Sequence, residues 1–272
     1  MMSHDQEDPS RPDATSAPTA ADFDQDFSGA GTSAGLRRVW ELAAPDLPPE
    51  VEPFSFVSAA LLRHVARALR LSPGQALVDL GCGRGGPGLW LARESAVSLV
   101  GVDFSPVAVD QATRRAALFG MSAPARFVVG DLTNTTLPDA HADAAVSIDA
   151  LHFAASPAAA AAEARRILRP AGRLVLTNWQ PKVDGDVRLP ARSRINWLPL
   201  LRGAGFAGVR VEERPEWHDL YTRVYRIALD LGDPHDDARL ASLQDEARRR
   251  LPQAGLLRRV VVTATAPGPG QP

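Results

Sequence analysis

Short, nearly continuous apolar runs alternate along this chain with stretches in which apolar residues return every three or four positions. Ala76–Val78, Val97–Asp103, Ala125–Gly130, Asp143–Asp149, Arg173–Trp179 and Val209–Glu212 have the length and continuity of buried strands. Helical patterns fill the intervals. Val57, Leu61, Val65 and Leu69 recur at four-residue steps, with Ser55 or Ser58 as the N-cap. Ser105 and Pro106 read as an N-cap and first-position pair, opening a helix that Gly120 stops near Phe119. The alanine-rich run Pro157–Leu168 is strongly helical, and Pro170-Ala171-Gly172 turns it into the next strand. Ile195–Leu201 reads as a helix ending at Gly203. The alternation then lapses. Trp217–Gly255 reads as two helices, about Tyr221–Leu231 and Asp236–Leu251, ahead of a last strand, Leu257–Thr265. This order predicts an α/β protein: a doubly wound seven-stranded sheet whose terminal strand, reached through an insertion, runs antiparallel.

The pattern also divides the chain. Residues 1–21 are rich in Pro, Ser, Ala, Thr and Asp and read as a disordered tail. Residues 22–54 carry apolar anchors, Phe23, Phe27 and Trp40 among them, between glycines and prolines. Residues 55–266 form the main domain, with the helical insertion at about 217–255, and residues 267–272 a loose C-terminal tail.

Composition narrows the function classes. The chain has 272 residues, 45% of them hydrophobic, and a net charge of −2, which provides no general attraction to nucleic acid. The basic run Arg248–Arg250 reads as a helix end. A single cysteine, Cys82, excludes an internal disulfide and suits a reducing cytoplasm. No stretch is apolar and long enough to span a bilayer, and no signal pattern opens the chain. We therefore expect a cytoplasmic protein without nucleic-acid or membrane partners. No metal-binding constellation is evident.

The candidate chemistry centres on Ala76–Ala92. There a strand turns through Gly81, Gly83, Gly85 and Gly86 into a helix, bringing bare backbone amides and a positive helix end to a ligand. Asp79 stands just before the turn. Gly81, Gly83 and Gly86 fit the dinucleotide fingerprint, and the second strand closes on Asp103, placed to receive a ribose diol. The third and fourth strands close on Asp131 and Asp149, so acids cluster at strand ends, where open α/β sheets bind ligands.

The segments VDLGCGRGG, VGVDFS, VVGDL and LRPAGRLVLTNW occur in order at strand–helix–strand spacing. Together they resemble the motifs of class I S-adenosylmethionine-dependent methyltransferases, most nearly the bacterial small-molecule type, over roughly Ser55 to Phe206. The resemblance implies a Rossmann-like sheet in the order 3-2-1-4-5-7-6 and S-adenosyl-L-methionine as cofactor. It implies that Gly81 and Gly83 approach the methionine and ribose, Asp103 takes the ribose hydroxyls, and Asp131 accepts from the adenine amino group. Phe104 and Leu132 would then sandwich the adenine. Asp79 would order the glycine loop or a nearby water, and Cys82 would sit in the loop without a chemical part. It implies as well that the segment around Phe23 and Phe27 folds over the cofactor as a lid.

Methyl transfer to oxygen or carbon usually needs a base. His152, in the loop after the fourth strand, is the first candidate and His218, in the insertion, the second; Asp149 would orient a histidine or contact the methionine end. Trp179, Trp197, Trp217, Tyr221 and Tyr225 suggest an apolar or aromatic small-molecule acceptor. A nicotinamide-dependent oxidoreductase is disfavoured by Asp79, Asp131 and the lack of a catalytic Tyr–Lys pair. Asp149-Ala150-Leu151-His152 stands where adenine-N6 and glutamine methyltransferases carry Asn-Pro-Pro-aromatic. Every strong motif concerns the cofactor, so a cofactor-bound cyclase or isomerase, or a non-catalytic protein on the same fold, stays open.

Overall fold

The structure, a computed structural model, describes residues 19–28 and 33–268. The expectations for residues 1–18 and 269–272 lie outside the described residues. Seven strands form one sheet in the order β3-β2-β1-β4-β5-β7-β6. They are β1 (Ala76–Leu80), β2 (Ser98–Asp103), β3 (Ala125–Val129), β4 (Ala142–Ile148), β5 (Leu168–Pro181), β6 (Ala207–Glu213) and β7 (Leu257–Thr265). β1 to β5 pair in parallel, and β7 runs antiparallel to both β5 and β6. This is the Rossmann-like order that the motifs implied.

Two apolar layers explain the winding. Val78, Leu80, Val102, Ala145, Leu174, Val260 and Val262 face one side, where α6 (Pro157–Ile167) and α7 (Trp197–Gly203) cover them with Ala160, Ala164, Ile167, Trp197 and Leu201. Their strand neighbours Leu77, Leu99, Val146, Val175 and Val261 face the other side. There α3 (Ala59–Leu69) and α4 (Gly86–Ser95) supply Leu61, Leu62, Val65, Leu69, Leu89 and Leu91. Alternate side chains of strands buried on both faces must both be apolar, which is why these runs are continuous rather than alternating.

The helix starts follow local chemistry. Ser58 accepts from the Leu61 N–H at 3.1 Å and caps α3. Ser105 accepts from the Ala108 N–H and caps α5 (Pro106–Arg115). The expected helix to Phe119 tightens into a 3₁₀ turn over Ala116–Phe119, and Gly120 closes it at φ 67°.

A second helical body lies over the carboxyl ends of the strands. α2 (Ala34–Ala43), α8 (Pro215–Asp230) and α9 (Ala238–Arg250) bury Val39, Ala43, Leu220, Val224 and Leu240 together. Asp237 ties it together: it accepts from Leu240 N at the start of α9 and from Ser33 Oγ and Gly35 N at the start of α2. α1 (Ala20–Ser28) lies against α5.

Two elements, β5 and α8, differ most from the sequence reading. β5 starts at Leu168 and passes through Pro170-Ala171-Gly172 as an irregularity, because Leu168 already pairs with Ala142 and the Ala171 N–H bonds Ala266 O. Its far end continues past Trp179 to Pro181, held by pairing to Leu257. α8 begins at Pro215 rather than near Tyr221, since proline suits the first turn of a helix.

Candidate active site

The carboxyl ends of β1, β2 and β4, the adjoining loops, α1 and the α8–α9 body enclose a cavity of about 800 Å³. That volume lies within the usual range for small-molecule sites. Asp79, Gly81, Cys82, Gly83, Asp103, Phe104, Asp131, Leu132, Asp149 and His152 all line it. The topology thus brings these residues into one space.

The glycine turn after β1 is folded by its own amides. The N–H groups of Gly81 and Cys82 both donate to Val102 O, at 2.9 and 3.0 Å. Gly81 has φ 76°, and a Cβ there would stand 2.3 Å from that of Ala150, so conformation and space both demand glycine. Gly83 N–H donates to Asp103 Oδ2 at 2.8 Å, and Ser105 N–H donates to Oδ1 at 3.0 Å. Each carboxylate oxygen therefore keeps acceptor capacity beyond one backbone bond, which is what a pair of ribose hydroxyls requires.

Burial governs the electrostatics here. It pushes the Asp79 carboxyl up to about 7, with the nearby Asp103 adding to the rise. Burial also raises Asp103 against its backbone hydrogen bonds. Both acids lie where a cationic ligand would relieve them. Burial raises the Cys82 thiol as well, which favours its protonated, unreactive form. Asp131 accepts at Oδ1 from Thr133 N–H at 2.7 Å and from the Thr133 hydroxyl, which fixes its loop. The donor and acceptor set and the glycine cradle fit S-adenosylmethionine at Asp79, Gly81, Gly83, Asp103, Phe104, Asp131 and Leu132.

Asp149 is differently employed. Both its oxygens are taken by the guanidinium of Arg259, a fully buried residue of β7, and Thr177 Oγ1 donates to Oδ1 at 2.9 Å. The Arg259 guanidinium also stacks on Trp179, 4.6 Å from the ring centre. A carboxylate so engaged is a structural anchor, and among the described residues no histidine is bonded to it.

His152 sits in a 3₁₀ turn, Leu151–Phe153, on the cavity wall. Its Nδ1 is buried and has no partner among the described residues. Burial lowers the ring to about 4, opposed by Asp149 and assisted by Arg192, Arg259 and Arg250. His218 stands one ring back: it packs against Trp179 and Tyr221, which line the cavity, but is not itself among the lining residues. Trp197, at the start of α7, is fully buried against the sheet and Trp217 lies in the core, so neither is part of the cavity wall.

α1 closes one side. Phe23 meets Phe104 edge-on at 5.3 Å and Phe153 at 5.2 Å, the Ser105 hydroxyl donates to Asp24, and Gln111 Nε2 donates to Phe27 O. Sequence reasoning missed Arg259 and also Asn178, a buried cavity residue whose Nδ2 has no partner among the described residues. Its signal was a polar residue at the carboxyl end of a core strand. Among the described residues no group of His, Cys, Asp and Glu is arranged to hold a metal, and no helix is long and apolar enough to cross a membrane.

Comparison with known proteins agrees with the fold. Residues 78–176 match the methyltransferase domain family. A 2-methyl-6-phytyl-1,4-hydroquinone methyltransferase of Synechocystis sp. is 33% identical over 119 residues, 44% of this chain and 36% of that protein. The chain spans 36% to 43% of the length of the first curated relatives it matches. Among solved structures, the cyclase SpnF superposes with a TM-score of 0.71 at 23% identity, covering 92% of this chain and 98% of its own. A methyltransferase of Geobacter sulfurreducens bound to S-adenosylhomocysteine superposes at 0.60 with 20% identity, covering 84% and 97%. Both likenesses are of fold.

Proposed function

We propose that this chain, built on a class I S-adenosylmethionine-dependent methyltransferase domain, transfers a methyl group to a small-molecule acceptor with apolar or aromatic character. The observation that supports it best is the convergence of Asp79, Asp103 and Asp131 with Gly81, Gly83, Phe104 and Leu132 on one cavity that also contains His152. When bound, S-adenosylmethionine supplies a methyl carbon activated by its sulfonium. Asp103 holds the ribose diol, Asp131 the adenine amino group, and Phe104 and Leu132 flank the ring. The glycine turn gives the close backbone approach to the methionine and ribose portion, with Asp79 ordering it.

The chain's further part is alignment and exclusion of water. Phe23 and Phe27 on α1 act as a lid over the cofactor end, and Trp179, Tyr221 and Tyr225 form an aromatic wall for the acceptor. His152 is neutral at neutral pH and takes a proton from an oxygen or carbon acceptor. His218 supports the aromatic wall from behind. The single buried Cys82 suits work in a reducing cytoplasm.

Calorimetric titration with S-adenosylmethionine, S-adenosylhomocysteine and NAD tests the reading. Micromolar binding of the first two and none of NAD is expected; binding of NAD alone, or of none of the three, overturns it. A metabolite screen for S-adenosylhomocysteine release then identifies the acceptor. Cofactor binding without turnover on any acceptor would point instead to a cofactor-bound cyclase or isomerase, or to a non-catalytic protein.

A further inference from the structure

The cavity is polarised along its length. Its carboxylates Asp79, Asp103 and Asp131 stand at the strand ends. Two more acids of the lining are neutralised in place, Glu52 by Arg84 at 2.9 Å and Asp149 by Arg259. The wall formed by the 3₁₀ turn Ala191–Arg194 and the end of α9 carries Arg192, Arg249 and Arg250 against one acid, Glu246.

The run Arg248–Arg250 complements the C-terminal end of its helix. The structure, however, separates its members. Arg248 pairs with Asp245 at 2.7 Å and is absent from the cavity wall, whereas Arg249 and Arg250 line the cavity. Arg192 and Arg250 are half-buried. Among the described residues neither the Arg192 nor the Arg249 side chain has a hydrogen bond or ion pair. Arg250 reaches only Glu246, at 4.0 Å, and the Glu246 carboxyl is shared with the Tyr225 hydroxyl. Burial and the proximity of Arg250 depress the Arg192 guanidinium, with Glu246 opposing them, so the two like charges lie in each other's field beside a single carboxylate. Two half-buried guanidinium groups that share one carboxylate, itself engaged by Tyr225, with Arg249 beside them, leave positive charge that an anion would balance.

We infer that the acceptor carries an oxyanion, a carboxylate or a phosphate, which Arg192 and Arg250 bind with Arg249 at the mouth, so that the apolar part of the acceptor lies along Trp179, Tyr221 and Tyr225 toward His152. The inference rests on the reading of this cavity as an acceptor site. It gives the site a direction: acids hold the cationic cofactor at one end, and arginines hold the anionic end of the acceptor at the other. Guanidinium forks are well matched to either oxyanion.

The test uses the full chain and a matched set of probes: benzoate, phenyl phosphate and neutral benzyl alcohol, each titrated with and without S-adenosylhomocysteine. At least one anion should bind roughly tenfold or more tightly than the alcohol, as expected for charge-assisted hydrogen bonds. That preference should shrink with added salt. Whichever anion binds more tightly identifies the oxyanion. Arg192→Gln with Arg250→Gln should reduce the anion to the affinity of the alcohol, and each single substitution should lower it part of the way. S-adenosylhomocysteine affinity serves as the folding control, and the single substitutions and the salt dependence of the unaltered chain carry the test if the double variant fails it. No anion preference, no binding of any probe at millimolar concentration, or a preference that survives in folded variants overturns the inference. If S-adenosylhomocysteine binds while the anions show no preference, only this inference fails; if S-adenosylhomocysteine itself does not bind, the cofactor reading fails.

Discussion

Asp149, at the carboxyl end of β4, and Arg259, near the start of β7, form a two-pronged ion pair beside the cavity, with Arg259 Nη2 2.7 Å from Asp149 Oδ2. The arginine is wholly buried and the aspartate nearly so. Asp149 adopts φ 56°, a left-handed conformation that Asp and Asn tolerate better than most residues. The pair joins the two halves of the sheet across β5 at the level of the active site.

Arg259→Met should therefore destabilise the fold by about 3–5 kcal/mol, because it strands a buried carboxylate. Adding Asp149→Asn should recover most of that loss, since asparagine keeps the left-handed backbone and removes the orphaned charge. Denaturant unfolding of the single and double variants measures both. A double variant no more stable than the single would mean that geometry, not charge balance, makes the pair necessary.

Asp103 joins the turn to the nucleoside site through Gly83 and Ser105. Asp103→Ala should weaken S-adenosylhomocysteine binding by about 2–4 kcal/mol, the value of two hydrogen bonds to a charged acceptor. Calorimetry on the folded variant decides it, and an unchanged affinity removes Asp103 from the ribose.

Local signals made much of this protein legible in its sequence. The serine caps at Ser58 and Ser105, the glycine turn, and the acids closing the strands depend on neighbours a few residues away, and the structure places them as read. The strand order followed from motifs in sequence. What stayed hidden depends on contacts distant in the chain. Arg259 sits in a run that reads as a strand with two cations, and nothing nearby indicates that its partner lies 110 positions earlier. Likewise α1 is a short helix whose place is set by Phe104, Phe153 and Ser105, far from it in sequence. The reading of Arg248–Arg250 as one helix end was correct in position, yet it did not distinguish the solvent-facing arginine from those on the cavity wall.

Asp79 makes the stability of the ligand-free protein depend on pH. Burial lifts its carboxyl from 3.8 to about 7, so between those values the folded chain holds a proton that the unfolded chain releases. Stability from this group is complete below 3.8 and falls as pH rises through 7, by on the order of 4 kcal/mol at about 1.4 kcal/mol per pH unit. Asp79→Asn should make the ligand-free protein more stable at pH 8 than the unaltered chain and flatten its pH dependence. Thermal unfolding from pH 5 to pH 8 checks this. An equally steep fall in the variant would place the titration elsewhere.

His152 sets the expected pH profile of catalysis. Burial brings its ring to about 4, below the ordinary 6.5, so it is already neutral throughout the physiological range and able to accept a proton. The acidic limb of turnover should accordingly fall near pH 4 rather than near 6.5. A buried, weakly basic imidazole is a modest base in the free enzyme, so its contribution depends on alignment with the acceptor and on the developing charge of the transferring proton. With an acceptor in hand, His152→Ala should leave S-adenosylhomocysteine affinity unchanged and reduce turnover about 10²–10⁴-fold, the usual range for a positioned base. The loss should be largest for a hydroxyl or carbon acceptor and small for an amine that arrives neutral, because an amine brings its own lone pair. Turnover of a hydroxyl acceptor that survives the substitution at every pH would exclude His152 as the base and leave alignment and desolvation as the chain's whole contribution to the transfer.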